Sequence, residues 1–321
     1  MQNVLINNMK KFFAVLLLAI LFFGWWGTRV QPGVIEIAPG DSVSAAAQKL
    51  VAAKIIRIGF LIRPFIKHVY PGAVAVPANC NFLCVAHLFD SPADTAVRIT
   101  IPEGSDLRDI QKIIATVDPS GAKKLYALVG TPAKIGGADK KYRSEFSFLK
   151  DAPDTISLEG YLFPDTYYYD AKGLGVDGLV HTMLDNFGRR TNGRASHDVV
   201  TVASILEKEV RSEADRKMVA DIIWRRLKMG MALQFDSTVS YASARDSVYT
   251  TALERKSNSP WNTYAARGLP IGPISNPGLD AIEAAENPTP NNYIFFLVGP
   301  DGVAHYARTL DEQIANKKYL K

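Results

Sequence analysis

The chain has 321 residues, of which 47% are hydrophobic and 21% charged, the balance of a protein with a real core. Its length allows one large domain or two moderate ones. A net charge of +5, with basic residues scattered along the chain, argues against the clustered basic stripe of a nucleic-acid-binding protein.

Residues 12–27, FFAVLLLAILFFGWWG, carry no charge. At ~1.5 Å per residue this run nearly spans the ~30 Å hydrocarbon core of a bilayer, and flanking side chains can cover the shortfall. Lys10 and Lys11 precede it and only Arg29 follows closely, which keeps the amino end in the cytoplasm. Trp25 and Trp26 sit where an interfacial aromatic belt belongs, in place of a small-x-small cleavage site. The pattern predicts a cytoplasmic tail over 1–11, an uncleaved single-pass anchor in the inner membrane over 12–28, and an extracytoplasmic remainder.

VIEIAPGDSVSAAAQKLVAAKII (34–56) reads as strand, turn and amphipathic helix, with Asp41 or Ser42 as the cap and Ala46, Leu50 and Ala53 on one face. VRITIPEGSDLRDIQKIIATV (97–117) repeats the plan, aligning Leu107, Ile110, Ile113 and Ile114. Such modules resemble LysM-like carbohydrate-binding folds, and one is expected over 33–96. The stretch 69–95 shows turn residues without helical periodicity and holds the only cysteines, Cys80 and Cys84. An exported location permits a disulfide between them, and two thiols without a histidine pair are too few for zinc. His68, His87, His181, His197 and His305 are dispersed, so no metal or cofactor is expected.

Residues 130–157, rich in Gly, Lys, Asp and Pro, suggest an exposed loop. A helix over 177–187 aligns Leu179, Val180, Met183, Leu184 and Phe187, and another covers 199–210. Ser212 and Asp215 form a capping-box variant for a helix that buries Met218, Val219, Ile222, Ile223 and Leu227 and ends at Gly230. Segments 293–299 and 303–308 form a predicted hairpin across Pro300-Asp301-Gly302.

The stretch LEGYLFPDTYYYD (158–170) sets a single glutamate, Glu159, before a glycine and a dense aromatic run. Aromatic rings pack on the C–H faces of sugars, and their low polarity raises a carboxyl pKa, which keeps a proton ready for a leaving oxygen. Gly160 leaves room for close approach to the acid. The plainer alternative is a hydrophobic strand with Glu159 solvated at its start. Gln234, Asp236 and Thr238 follow the helix ending at Gly230 and are candidates to line a sugar groove, although Asp236 is equally suited to cap a helix. Asn262 and Tyr264 precede the constrained loop GLPIGPISNPG, where an asparagine either bonds substrate amides or braces the loop. Of Glu207 and Glu209, on one helix, only one can face a cleft.

The ordered set LEGYLFPDTYYY, LVHTMLDNF, ASILEKEV, DRKMVADIIWRRLKMGMALQFDSTVSYA, SPWNTYAARGLPIGPISNPGLDAIEAA and the terminal HYA resembles the membrane-anchored endolytic murein transglycosylases, the YceG-like family. The similarity runs from about residue 97 to the end. The chain departs from the family's habit at Asp236-Ser237-Thr238, where Asp-Pro-Thr is usual, at Trp261, where Tyr is, and around Cys80 and Cys84.

The resemblance implies an α+β protein. Its parts would be an N-terminal transmembrane helix, a small LysM-like αβ module, and a mixed α/β catalytic domain over 97–321 with a sugar-binding cleft. It implies a carbon–oxygen lyase that cuts the MurNAc–GlcNAc bond of nascent peptidoglycan, leaves 1,6-anhydro-MurNAc ends and terminates glycan elongation. Glu159 would be the catalytic acid and later the base, with cell-wall synthases as partners and no nucleic acid. The competing readings are a non-catalytic anchored peptidoglycan-binding scaffold and a hydrolytic muramidase in which Asp165 or Asp236 aids water.

Overall fold

The computed structural model describes residues 29–38, 41–69, 72–78, 80–89, 96–170, 175–244 and 250–320. The predicted anchor, 12–28, lies outside them, and among the described residues no helix is long and apolar enough to cross a membrane. Helices and small two-stranded sheets make an α+β fold in two units, Met1–Arg98 with Tyr168–Leu174, and Ile99–Tyr167 with Gly175–Lys321.

In the first unit, β1 (Gly33–Ile37) pairs antiparallel with β2 (Gly72–Val76), Gly33 opposite Val76. Between them run α1 (Val43–Ala52) and α2 (Gly59–Ile62), the latter continued by a 3₁₀ turn, Arg63–Phe65. Ser42 is the residue that caps α1, accepting the Ala45 N–H at 3.2 Å, while Asp41 pairs with Lys49 at 2.5 Å. Ile35, Ile37, Leu50, Ile55, Ile56, Ile62, Val74 and Val85 form the core of this unit. Ala46 and Leu50 are inside, but Ala53, expected beside them, is exposed at the helix end.

Within the supposedly irregular 69–95, β2 is followed by α3 (Phe82–Leu88), capped by Asn81. Two helical turns with only Phe82, Val85 and Ala86 inside are too short for a periodicity read over 11 or more residues. Cys80 and Cys84 form a disulfide.

β3 (Ala96–Thr100) and β4 (Thr166–Asp170) pair as a two-stranded sheet. The second unit then adds α4 (Leu107–Ala115), α5 (Pro119–Val129) and α6 (Lys140–Glu145). Asp106 caps α4 in a reciprocal box with Asp109, fixing where its first N–H groups point. The 130–157 region is more ordered than its composition suggests. Tyr142, Phe146 and Leu149 are buried, and Arg143 donates to the carbonyls of Ala152, Pro153 and Ile156. Side-chain bonds to backbone order such a loop without leaving a hydrophobic period to read.

Helices α7 (Gly175–Arg190), α8 (His197–Glu209), α9 (Glu213–Lys228), α10 (Asp236–Ser243) and α11 (Leu279–Glu286) follow. The apolar face of α7 is buried as expected, and Ser212 caps α9 from the Asp215 N–H. The buried helix α8, with Val200, Val202, Ala203, Ile205 and Leu206 inside, packs against α9, α10 and α11. The predicted hairpin is β5 (Phe295–Val298) with β6 (Ala304–Ala307), and α12 (Leu310–Asn316) packs on it.

Candidate active site

Glu159 sits in the turn before β4, 1% exposed. Three groups distant in sequence bind its carboxyl. The Leu107 N–H, at the first turn of α4, donates to Oε2 at 3.1 Å, and the Tyr241 hydroxyl of α10 donates to the same oxygen at 3.1 Å. Asn276 Nδ2, from the loop before α11, donates to Oε1 at 2.8 Å. Asn276 is itself fully buried, and its Oδ1 accepts the N–H groups of Gly160 and Leu162 at 2.9 and 3.0 Å. One amide thus fixes both the acid and the turn that carries it.

Burial is the largest influence on Glu159 and raises its pKa, and the charge of Asp106 adds to the effect. The Leu107 N–H, the Tyr241 hydroxyl and Arg108 oppose it, and the outcome is a carboxyl pushed up to about 8. At neutral pH the group therefore holds a proton. Asp106 is committed elsewhere, to the α4 cap and to Arg108 at 2.8 Å. Among the described residues, no group of three His, Cys, Asp or Glu side chains converges as metal ligands would.

The aromatic run does not ring the carboxyl. Tyr161 is buried between Phe148, Phe187 and His197, with its hydroxyl 2.9 Å from His197 Nδ1. Tyr167 is buried with its hydroxyl donating to the Phe163 carbonyl, and Tyr169 is 1% exposed. These rings are buried core side chains. The aromatic on the acid is Tyr241, whose ring lies tilted against Trp261 at 6.0 Å and under Arg108 at 4.9 Å. Gly160 is required for a different reason from the expected one. Its φ is +90°, and a Cβ there would meet Pro273 at 2.5 Å, so the close approach is made by the protein's own loop.

Residues 35–319 match the sequence pattern of the YceG-like family. The chain belongs to that family. It is 29% identical to the endolytic murein transglycosylase of Bacillus subtilis over 89% of this chain and 84% of that protein. To the endolytic murein transglycosylase of Streptococcus pneumoniae serotype 2 it is 28% identical, over 71% of this chain but 45% of that longer protein. A crystal structure of a yceG-like protein from Listeria monocytogenes superposes with a TM-score of 0.56 at 27% identity, covering 89% of this chain and 99% of that one.

In this YceG-like chain the other candidate residues gather around the start of α10. Asp236 is the first residue of that helix and not its cap, which is Phe235. Its carboxylate accepts from Thr250 at 2.6 Å, Tyr264 at 2.8 Å and Arg255 at 3.2 Å. Gln234 is exposed, held at φ +57°, and Tyr264 is half-buried. Thr238 and Asn262 are turned inward. Thr238 donates to the Phe235 carbonyl and meets Thr263, while Asn262 Nδ2 bonds the carbonyls of Arg255 and Ser257.

Glu207 pairs with Arg216 at 2.6 Å and accepts the Gly278 N–H, and burial raises its pKa. Glu209 accepts the Ser237 hydroxyl at 2.6 Å, a bond that a proline at 237 could not make, and burial pushes its pKa up to about 7. Burial alone would raise Asp165, but the Thr166 N–H, Asn186 and Arg190 hold it below the usual carboxylate range.

Sequence reasoning passed over Asn276, Tyr241 and the Leu107 N–H, the three groups that hold the acid. SNPG marked a constrained turn, but nothing local showed that its asparagine reaches a turn 117 residues away.

Replacing Tyr241 by Phe removes a donor that favours the charged carboxylate and leaves the Ala133 N–H, now bonded to that hydroxyl at 3.2 Å, unpaired. The expected result is a Glu159 pKa higher still and a loss of about 1–3 kcal/mol in stability. A pH–rate profile read beside a thermal melt checks both.

Proposed function

We propose that this chain is an endolytic peptidoglycan lytic transglycosylase, a lyase acting on glycan strands, with Glu159 as its proton carrier. The observation that carries the reading is a buried carboxyl, its pKa raised by that burial, whose position three donors define. It stands beside the name shared by the Bacillus and pneumococcal relatives.

In the proposed reaction, Glu159 gives its proton to the bridging oxygen O4 between MurNAc C1 and GlcNAc C4, and the C1–O4 bond breaks. The muramoyl 6-hydroxyl closes on C1, and its proton returns to the carboxylate. One strand then ends in a free GlcNAc 4-hydroxyl and the other in 1,6-anhydro-MurNAc. No water enters, so one carboxyl serves as acid and then as base. The three donors suit the second state, since each stabilises the carboxylate formed after the proton has left. Gln234, Asp236 and Tyr264 are proposed to line the sugar groove, with Thr238 and Asn262 bracing the backbone that carries them.

Purified peptidoglycan incubated with the full chain is expected to yield internal cuts and anhydro ends, about 18 Da lighter than hydrolysed ends. Reducing ends would make the enzyme a hydrolase, and intact strands would make the chain a scaffold. Because the acid form is the donor, activity should fall as pH rises through about 8. Stability should follow the same sign. The folded state holds the Glu159 proton more tightly than the unfolded chain, so this group's contribution is full below the unfolded pKa and is lost as pH climbs to about 8.

Membrane anchoring through 12–28, amino end in the cytoplasm, is part of the same proposal and rests on the uncharged run. The mature chain should keep its amino terminus and float with membranes after carbonate extraction. A mature terminus near residue 28 in an intact-mass measurement would exclude an anchor.

A further inference from the structure

We propose that the face of the first unit formed by α2 and the 3₁₀ turn Arg63–Phe65 docks on an anionic bilayer surface. Between Asp41 and Asp90 the chain contains no Asp or Glu. Within that stretch Lys54, Arg57, Arg63 and Lys67 are all exposed. So are the aromatic rings set among them, Phe60 at 65% and Phe65 at 47%. The short helical path puts Phe60 and Arg63 three residues apart on one side, while Ile62 and Ile66 point into the core. Phe65 meets Phe82 edge to face at 6.3 Å, and the neighbouring Leu83 of α3 is 51% exposed, which extends the apolar surface.

Exposed phenylalanines interspersed with exposed basic residues, in a stretch of sequence without Asp or Glu, match the headgroup boundary of an anionic membrane. There the rings enter the acyl edge and each cation adds attraction. An acidic protein would satisfy the charges but gives no reason for rings at that density, and a neutral glycan gives none for the charges. The chain's route supports the same partner. Val30 bridges Ile56 and the Gln31 N–H donates to the Ile55 carbonyl, so the segment arriving from the uncharged run 12–27 enters this unit between Lys54 and Arg57. The proposal rests on the anchoring reading for that tether alone.

The test uses the full chain reconstituted in phosphatidylglycerol/phosphatidylethanolamine vesicles and in phosphatidylcholine vesicles. Because Cys80 and Cys84 are disulfide-bonded, Phe60→Cys supplies the one thiol for an environment-sensitive dye, and Leu253→Cys, 81% exposed at the native residue, is the control. The dye at 60 is expected to report an apolar setting in anionic vesicles only, and the dye at 253 in neither. Arg63→Ser and Lys67→Ser should each lower the docking equilibrium about fivefold. The proposal is overturned if the dye at 60 stays aqueous in anionic vesicles or responds equally in phosphatidylcholine. A response to purified peptidoglycan in place of vesicles overturns it too. A chain that floats with vesicles while its dye at 60 stays in water keeps the anchor and loses the docking face. A chain that fails to float loses both.

Discussion

Glu159→Gln is expected to lower peptidoglycan cleavage by about 10³- to 10⁴-fold in a chain that still folds. The amide matches the shape of the acid but cannot release a proton to the leaving oxygen or recover one from the 6-hydroxyl. The substitution is not silent in the folded state. Asn276 cannot turn its amide around, because its Oδ1 is held by the N–H groups of Gly160 and Leu162. The new amide must therefore aim its NH₂ at Asn276 Nδ2 or at the Leu107 N–H, placing two donors face to face. That costs about 1–3 kcal/mol. At pH 6, where the native carboxyl is neutral, the variant should melt a few degrees lower. Above pH 8 the native chain must bury a charge, and the difference should shrink or change sign. Near-normal turnover by a folded Glu159→Gln chain would end the case for this residue as the proton carrier. A melting difference unchanged between pH 6 and pH 9 would show that Glu159 is not the neutral acid described.

The largest loss of stability is expected from Asn276→Ala. The side chain is fully buried, and its removal strands the N–H groups of Gly160 and Leu162 and one donor to Glu159. Buried groups left unpaired cost about 1–3 kcal/mol each, so the total is about 3–5 kcal/mol once relaxation is allowed for. For a unit of this size that lowers the melting temperature by about 10 °C. Asn276→Asp separates the roles. Its carboxylate can still accept both N–H groups but sets a second acid against Glu159, which should drive the Glu159 pKa higher and displace the pH–rate profile. A calorimetric melt of Asn276→Ala indistinguishable from the native chain would mean that this side chain does not hold the turn.

What could be read from the sequence was whatever rests on neighbours along the chain. Ser42 and Ser212 cap the helices they precede, the apolar stripe from Leu179 to Phe187 is buried, and Pro300-Asp301-Gly302 closes a hairpin. Glu159 itself stood out through the LEGYLFPDT motif. The surroundings of Glu159 did not, because its partners lie 52, 82 and 117 residues away and one of them is a backbone N–H that any residue but proline could supply. Composition also misdirected. Tyrosines after a glutamate look like a sugar platform, yet Tyr161, Tyr167 and Tyr169 are packed inside, since a dense apolar run satisfies a core as readily as a ligand. The same limit applies to Asn262, whose amide braces a loop that the sequence marked only as constrained.

The convergence of Leu107, Tyr241 and Asn276 on one carboxyl also bears on when the proposed activity begins. In the unfolded chain Glu159 has an ordinary carboxylate pKa of about 4.3 and is ionised at neutral pH. The acid comes into being only when segments from three parts of the second unit have closed around it. On the proposed mechanism folding is therefore the activation step, and an unfolded copy cannot cut glycan strands.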